Sequence, residues 1–215
     1  MAIIQELQAL HPVGYRLARG DRVAATVRNP QPLEALKAQH GHALKICTLD
    51  VTDDAAVARV VTEAFNALGR IDVVVSNAAY GLFGAGEEVS DAQIRKQIDT
   101  NLVGSMQVIR AALPHLRAQG GGRILQLSSE GGQIAYPNFG VYHASKWGIE
   151  GFVEAVAQEV ATFGIQMTLI ALAQVQLAAQ GLELLKAHCA FVVQDAEVAP
   201  IVWAGDVAGV PFEGF

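Results

Sequence analysis

Tyr142 and Lys146 stand four residues apart in a stretch that reads as the start of a helix, so both side chains project from one face. A free phenol has a pKa of about 10, and an ammonium within several ångströms favours the phenolate. Lys146 is therefore expected to tune Tyr142 toward proton exchange with a substrate oxygen near neutral pH. Taken alone the pair says little, because a chance Tyr-x-x-x-Lys match has a probability of roughly one in ten. Its surroundings must decide.

Those surroundings alternate short apolar runs with amphipathic stretches, the pattern of repeated βα units with helices on both faces of a parallel sheet. Strands are expected at 22–27, 44–49, 71–76 and 123–127, with a weaker one at 166–171. Thr52 is placed to cap a helix carrying Val57, Val60, Val61, Ala64, Phe65 and Leu68, which Gly69 would stop. Ser90 and Gln93 form a capping-box pair opening the next helix. The two longest helical stretches are 101–117, opened by Asn101, and 142–163, ended by Gly164. In a doubly wound sheet the carboxyl ends of the strands border the ligand crevice. The segments 76–81, 101–104 and 128–129 should converge there with Tyr142.

The bulk properties narrow the partners. The chain has 215 residues, 52% of them hydrophobic and 17% charged, enough to bury the core of a single domain spanning 1–215. With 15 basic against 21 acidic residues, the formal charge of -6 offers no electrostatic footprint for nucleic acid or an anionic membrane. A small-molecule partner is expected instead. Two cysteines far apart, Cys47 and Cys189, suggest neither disulfide framework nor zinc site, and no metal is expected. Cys47, on an expected strand, reads as a core residue, and His115, His143 and His188 as surface or satisfied histidines. Residues 1–10 read as neither signal peptide nor membrane span, which fits a cytoplasmic protein.

Several motifs in order carry a family resemblance: Gly20-Asp-Arg-Val-Ala-Ala-Thr-Val-Arg28, Leu49-Asp-Val51, Val75-Ser-Asn-Ala-Ala79, Asn101, Ser129 and Tyr142-His-Ala-Ser-Lys146. From about residue 17 to 168 the chain resembles the short-chain dehydrogenase/reductase family, with a Rossmann-like doubly wound parallel sheet as the implied fold. The resemblance implies Tyr142 as general acid/base, Ser129 as the hydroxyl holding the substrate oxygen, and Lys146 as pKa modifier and ribose ligand. Asn101 resembles the residue that supports the family's proton-relay water. Asp50 and Val51 resemble residues bordering the adenine, and Asn77, Ala78 and Ala79 the floor beneath it. At the end of the second strand the chain offers Val27-Arg28 and no acid, so NADP(H) is preferred over NAD(H). The implied reaction is hydride transfer between nicotinamide and an alcohol or carbonyl carbon. Substrates resemble hydrophobic alcohols such as retinol or hydroxysteroids. Met106, Val108, Ile109, Phe152 and Val156 read as packing faces of two long helices, which in this family pair across subunits, implying a homodimer or homotetramer.

The ends depart from that pattern. The family's Thr-Gly-x-x-x-Gly-x-Gly loop has no counterpart, its glycine positions falling near Ile3, Leu7 and Ala9, so the first strand and the loop read as missing or replaced. Only Ala2-Ile3-Ile4 is left as material for that strand, and Pro12 falls where helix interior is expected. The family's Pro-Gly turn is absent after 171, and in 172–215 only a helix near 182–188 and an apolar stretch at 201–203 stand out. Ser76 and Ala79 replace the family's first asparagine and its glycine. Two readings stay open: an NADP(H)-dependent oxidoreductase, and a catalytically impaired remnant that binds cofactor weakly or not at all and acts through oligomer contacts. A dinucleotide sensor would leave the Ser129, Tyr142 and Lys146 set unexplained. Smaller alternatives also stand: Asn101 suits a helix cap, Ser129 a strand-terminal turn and Arg28 a solvated loop charge.

Overall fold

Strand β2, Val23–Val27, is buried along its whole length, with no alternation between faces. That is the mark of a parallel strand covered on both sides, where every side chain meets a packed layer. The computed structural model describes residues 2–5, 10–174, 189–195 and 202–204. Within them β2 pairs with β1 (Ala2–Gln5) on one side and β3 (Leu44–Thr48) on the other. The sheet continues through β4 (Val73–Ser76), β5 (Gly122–Leu127) and β6 (Ile165–Gln174). The strand order is β3-β2-β1-β4-β5-β6-β7-β8, with β7 at Cys189–Asp195 and β8 at Val202–Ala204.

Strands β1 to β6 are parallel, so the doubly wound reading holds for them. Strands β7 and β8 run antiparallel, extending the sheet as a meander beyond the expected parallel set. The apolar stretch at 201–203 contributes to β8, while 175–188, with the helix expected near 182–188 and His188, lies outside the described residues.

The first strand, read as missing or replaced, is present as β1, built on the Ala2-Ile3-Ile4 segment. Ile3 sits between Ala24 of β2 and Val74 of β4 in parallel register. The physical reason is the demand of its neighbours: without β1, two strands in the middle of the sheet would leave facing rows of N–H and C=O groups unpaired. Four residues, three of them apolar, are long enough to satisfy them. Pro12 is also accommodated, because helix α1 (Leu10–Ala18) begins two residues before it. Pro12 then falls in the first turn, where a backbone N–H would have no intrahelical acceptor.

Helix α2 spans Glu34–His40 and α3 spans Asp54–Leu68. The cap of α3 is Asp53, whose side chain accepts from the Ala56 N–H at 3.0 Å, and not Thr52. Thr52 is drawn away by Asp50, to whose carboxylate it donates from both its backbone N–H and its hydroxyl. Gly69, at φ 78°, ends the helix as expected. Helix α4 (Asp91–Ile98) opens on the Ser90–Gln93 capping box. It does not stop before Asn101: a π-helical turn, Asp99–Gly104, joins it to α5 (Ser105–Ala118). The expected helix opening at Asn101 is thus a bulge inside a longer helix, a feature that re-aims side chains locally. Gly104 in that bulge lies so close to Val51 that a β-carbon would come within 2.7 Å of its Cγ2. Helix α6 covers Gly140–Val160 and passes through a tight turn to Gly164.

Helices α3, α5 and α6 pack on one face of the sheet, burying Val57, Phe65, Val108, Ile109, Ile149 and Val156 together, with Met106 and Phe152 against them. Cys47 is buried in the same cluster. Helix α1 contributes Val13 and Leu17 to a second cluster on the opposite face, beneath β2 and β3. Between these layers the carboxyl ends of β2 to β6 all point to one edge of the sheet. No helix among the described residues is long and apolar enough to cross a membrane.

Candidate active site

Three rungs on one face of α6 face the end of β5. Tyr142 stands in the first turn of α6, Lys146 one turn on and Glu150 one turn further, the spacing that stacks side chains on a helix. Lys146 is only 3% exposed, its Nζ donates to the Leu127 carbonyl at 3.0 Å and lies 5.7 Å from the centre of the Tyr142 ring. Ser129 follows β5 by two residues, and its hydroxyl hydrogen-bonds the Tyr142 phenol while accepting from the Gly131 N–H. Ser129, Tyr142 and Lys146 are therefore brought together.

Burial pushes the Tyr142 phenol above its ordinary value, opposed by the Ser129 hydrogen bond and aided by the Glu130 charge. Burial lowers Lys146 to about 8, with Glu150 opposing. Glu150 in turn is pushed up by burial, opposed by hydrogen bonds from Ser128 and Gln133.

Asn101 reaches the site from the π-helical turn. Its Oδ1 accepts from the Tyr80 N–H at 3.0 Å, and its Nδ2 donates to the Tyr80 carbonyl at 2.8 Å and the Ser145 hydroxyl at 3.2 Å. Ser145 donates to the Tyr142 carbonyl at 2.7 Å, so Asn101 ties the 77–81 loop to the first turn of α6. It is a cross-link between three segments and not a helix cap. Gln97 adds a donation to the same Tyr80 carbonyl at 2.6 Å.

A separate cavity of ≈ 320 Å³ opens at the ends of β2, β3 and β4. Arg28, Asp50, Val51, Ala78 and Ala79 line it, as the sequence suggested, and Lys96 and Thr100 join from the α4 side. Asn77 precedes that wall and is not part of the lining, and Tyr142 and Lys146 lie outside it. The Asp50 carboxyl is held below the usual carboxylate range by the two Thr52 donations, with Arg28 and Lys96 adding to them. Thr26 Oγ1, on the cavity wall, is buried with no hydrogen-bond partner among the described residues. Apolar walls, an ionised acceptor, two cations and an unpartnered hydroxyl fit the adenosine half of a dinucleotide in chemistry, and the volume lies within the range of about 300–1,000 Å³ common for small-molecule sites. Of the three family glycine positions, Ile3 is in β1, while Leu7 and Ala9 lie outside the described residues.

Comparison with known proteins decides the family. The profile described as short chain dehydrogenase matches residues 13–183. The chain belongs to that family. Short chain dehydrogenases are oxidoreductases that bind NAD(P). The oxidoreductase BOA17 of Botryotinia fuckeliana is 41% identical over 155 residues, covering 72% of this chain and 57% of the relative. Human 17-beta-hydroxysteroid dehydrogenase type 1 is 38% identical over 130 residues, covering 59% of this chain and 38% of the relative. A short-chain dehydrogenase from Streptomyces avermitilis superposes with a TM-score of 0.76 at 30% identity, covering 84% of this chain and 69% of that one. The chain spans about half the length of the curated relatives it matches.

Several members of the site were not read from the sequence. Ser145 and Gln97 carry the Asn101 network, and Thr26, Lys96 and Thr100 complete the cavity. Glu150 and His143 are buried on α6, and the signal that could have found them is the pair Gly131-Gly132. Those glycines lack the β-carbons that would otherwise occupy the space of the two side chains.

Proposed function

We propose that this short chain dehydrogenase interconverts an alcohol and a ketone or aldehyde, using NADP(H) in preference to NAD(H). The observation that carries the reading is the convergence of Ser129, Tyr142 and Lys146 at the end of β5. The nicotinamide, when bound, supplies or accepts the hydride. The protein's part is the proton. Tyr142 exchanges it with the substrate oxygen, Ser129 holds that oxygen through its hydroxyl, and Lys146 meets the cofactor ribose. Asn101 keeps the loop and helix in register around them.

A tyrosine pushed above its ordinary value keeps its proton at neutral pH, the form that donates to a carbonyl oxygen. Arg28, with Lys96 beyond Asp50, supports recognition of a 2′-phosphate by charge. A homodimer or homotetramer in the cytoplasm, acting on a small hydrophobic substrate, completes the proposal. The human hydroxysteroid relative supports the hydrophobic class.

The test is titration with NADPH and NADH, read by nicotinamide fluorescence, followed by carbonyl turnover across pH. Saturable binding favouring NADPH is expected, with reduction falling as pH rises through the Tyr142 pKa. Tyr142→Phe should keep binding and lose turnover by on the order of a hundredfold or more. A folded chain that binds neither nucleotide would instead establish the non-catalytic remnant.

A further inference from the structure

We infer that Glu150 and His143 form a clamp on the 130–133 turn that aims the Ser129 hydroxyl at Tyr142, which makes them positioning residues of the proposed reaction; the inference rests on that reading of the site.

The geometry begins with two glycines. A β-carbon on Gly131 would meet His143 Nδ1 at 2.7 Å, and one on Gly132 would run into the Glu150 carboxylate and the Ser128 hydroxyl. The turn is thus pressed against α6 so closely that a β-carbon at either position would displace His143 or Glu150. Hydrogen bonds fasten it there. The Ser128 hydroxyl donates to Glu150 Oε1, and Gln133 hydrogen-bonds the same carboxylate, so Glu150 grips the residues on either side of the turn. His143 Nε2 accepts from the Tyr136 N–H at 2.8 Å, which leaves the proton on Nδ1 to donate to the Gly131 carbonyl at 2.7 Å.

Ser129 lies inside this frame. Lys146 holds Leu127, Glu150 holds Ser128 and His143 holds Gly131, all from one helix that also carries Tyr142. Serine and phenol are therefore set by one rigid element, and the distance between them depends on the grip. Glu150 is 7% exposed and His143 6%, so neither is a solvent-facing ornament. A buried carboxyl satisfied by two side-chain donors is held in a single rotamer, the condition for passing precision to its neighbours.

The test uses the full chain with Glu150→Leu, Glu150→Gln and Ser128→Ala, and two readouts. The first is the NMR signal of the Tyr142 ring, assigned by its loss in Tyr142→Phe, which reports the Ser129 hydrogen bond without requiring turnover. Glu150→Leu and Ser128→Ala should move it toward the position found in Ser129→Ala, while Glu150→Gln, which keeps an acceptor for Ser128, should restore most of the shift. The second is kcat set against the fraction of chain that binds NADPH. Glu150→Leu should lower kcat by on the order of tenfold to a hundredfold at unchanged binding stoichiometry, whereas simple unfolding would lower both together. An unmoved ring signal in a folded Glu150→Leu, or in Ser128→Ala should that variant alone fold, overturns the clamp. If the unmodified chain reduces no carbonyl, the functional reading fails while the ring signal still decides the clamp.

Discussion

The buried lysine carries the largest electrostatic consequence at the scale of single residues. Lys146 is lowered from 10.5 to about 8 by burial, so the folded chain binds its proton less readily than the unfolded chain does. Stability from this group therefore rises with pH between about 8 and 10.5, and its full burial penalty is present below that window. The shift corresponds to about 3 kcal/mol between the charged and the neutral amine. The stability of Lys146→Met relative to the parent should accordingly fall by up to about 3 kcal/mol from neutral pH to pH ~10, as followed by urea unfolding. A gap that does not change with pH would refute burial as the cause. The types and spacing of Tyr142, Lys146 and Ser129 were legible because their chemistry is written in the side chains. The upward direction of the Tyr142 shift was not, since it depends on what covers the phenol, and neither sequence spacing nor residue type reports that. Glu150 escaped for a similar reason: an acid on a helix reads as solvent-facing until the glycines opposite it are seen to make room.

At the scale of elements, helix limits were legible where a single residue sets them and illegible where two compete. Gly69, Gly164 and the Ser90–Gln93 box fall where expected because each satisfies orphaned backbone groups by its own conformation or side chain. Thr52 and Asp53 are both capable caps, and the choice was made by Asp50, a tertiary site residue that captures Thr52. The two positions should separate cleanly on substitution. Asp53→Ala removes the acceptor for the Ala56 N–H and should cost about 1 kcal/mol. Thr52→Ala leaves the cap intact and should cost less than about 0.5 kcal/mol, while releasing Asp50 toward its ordinary value. Urea midpoints check the first statement, and a carboxyl NMR titration of Asp50 checks the second. The bulge at 99–104 was illegible for a different reason. Its sequence is compatible with a regular helix, and the close approach of Gly104 to Val51 is a contact between distant segments.

For the whole molecule the order of strands determines which short segment matters most. The sheet places β1 between β2 and β4, so the four residues Ala2–Gln5 join one half of the fold to the other. On one side lie β2 and β3 with the α1 cluster, and on the other β4 to β6, which carry the turn beneath Tyr142. The sequence allowed that strand only as a remnant of three apolar residues, because strand propensity over so few positions is weak and what selects it is the unpaired backbone on both flanks. A substitution that spares the side-chain character but removes the amide tests this placement. Ile3→Pro deletes a ladder donor at the centre of the sheet and should destabilise the fold by on the order of 3 kcal/mol, with loss of cooperative unfolding, while Ile3→Val should change it by under about 1.5 kcal/mol. Because the cavity lined by Arg28 and Ala78 straddles β1, and the turn holding Ser129 lies beyond β4, Ile3→Pro should also weaken NADPH binding and lower turnover together. A chain indifferent to proline at this position would place its first segment outside the sheet, and the two halves of the site would then have to be held in register by the helices alone.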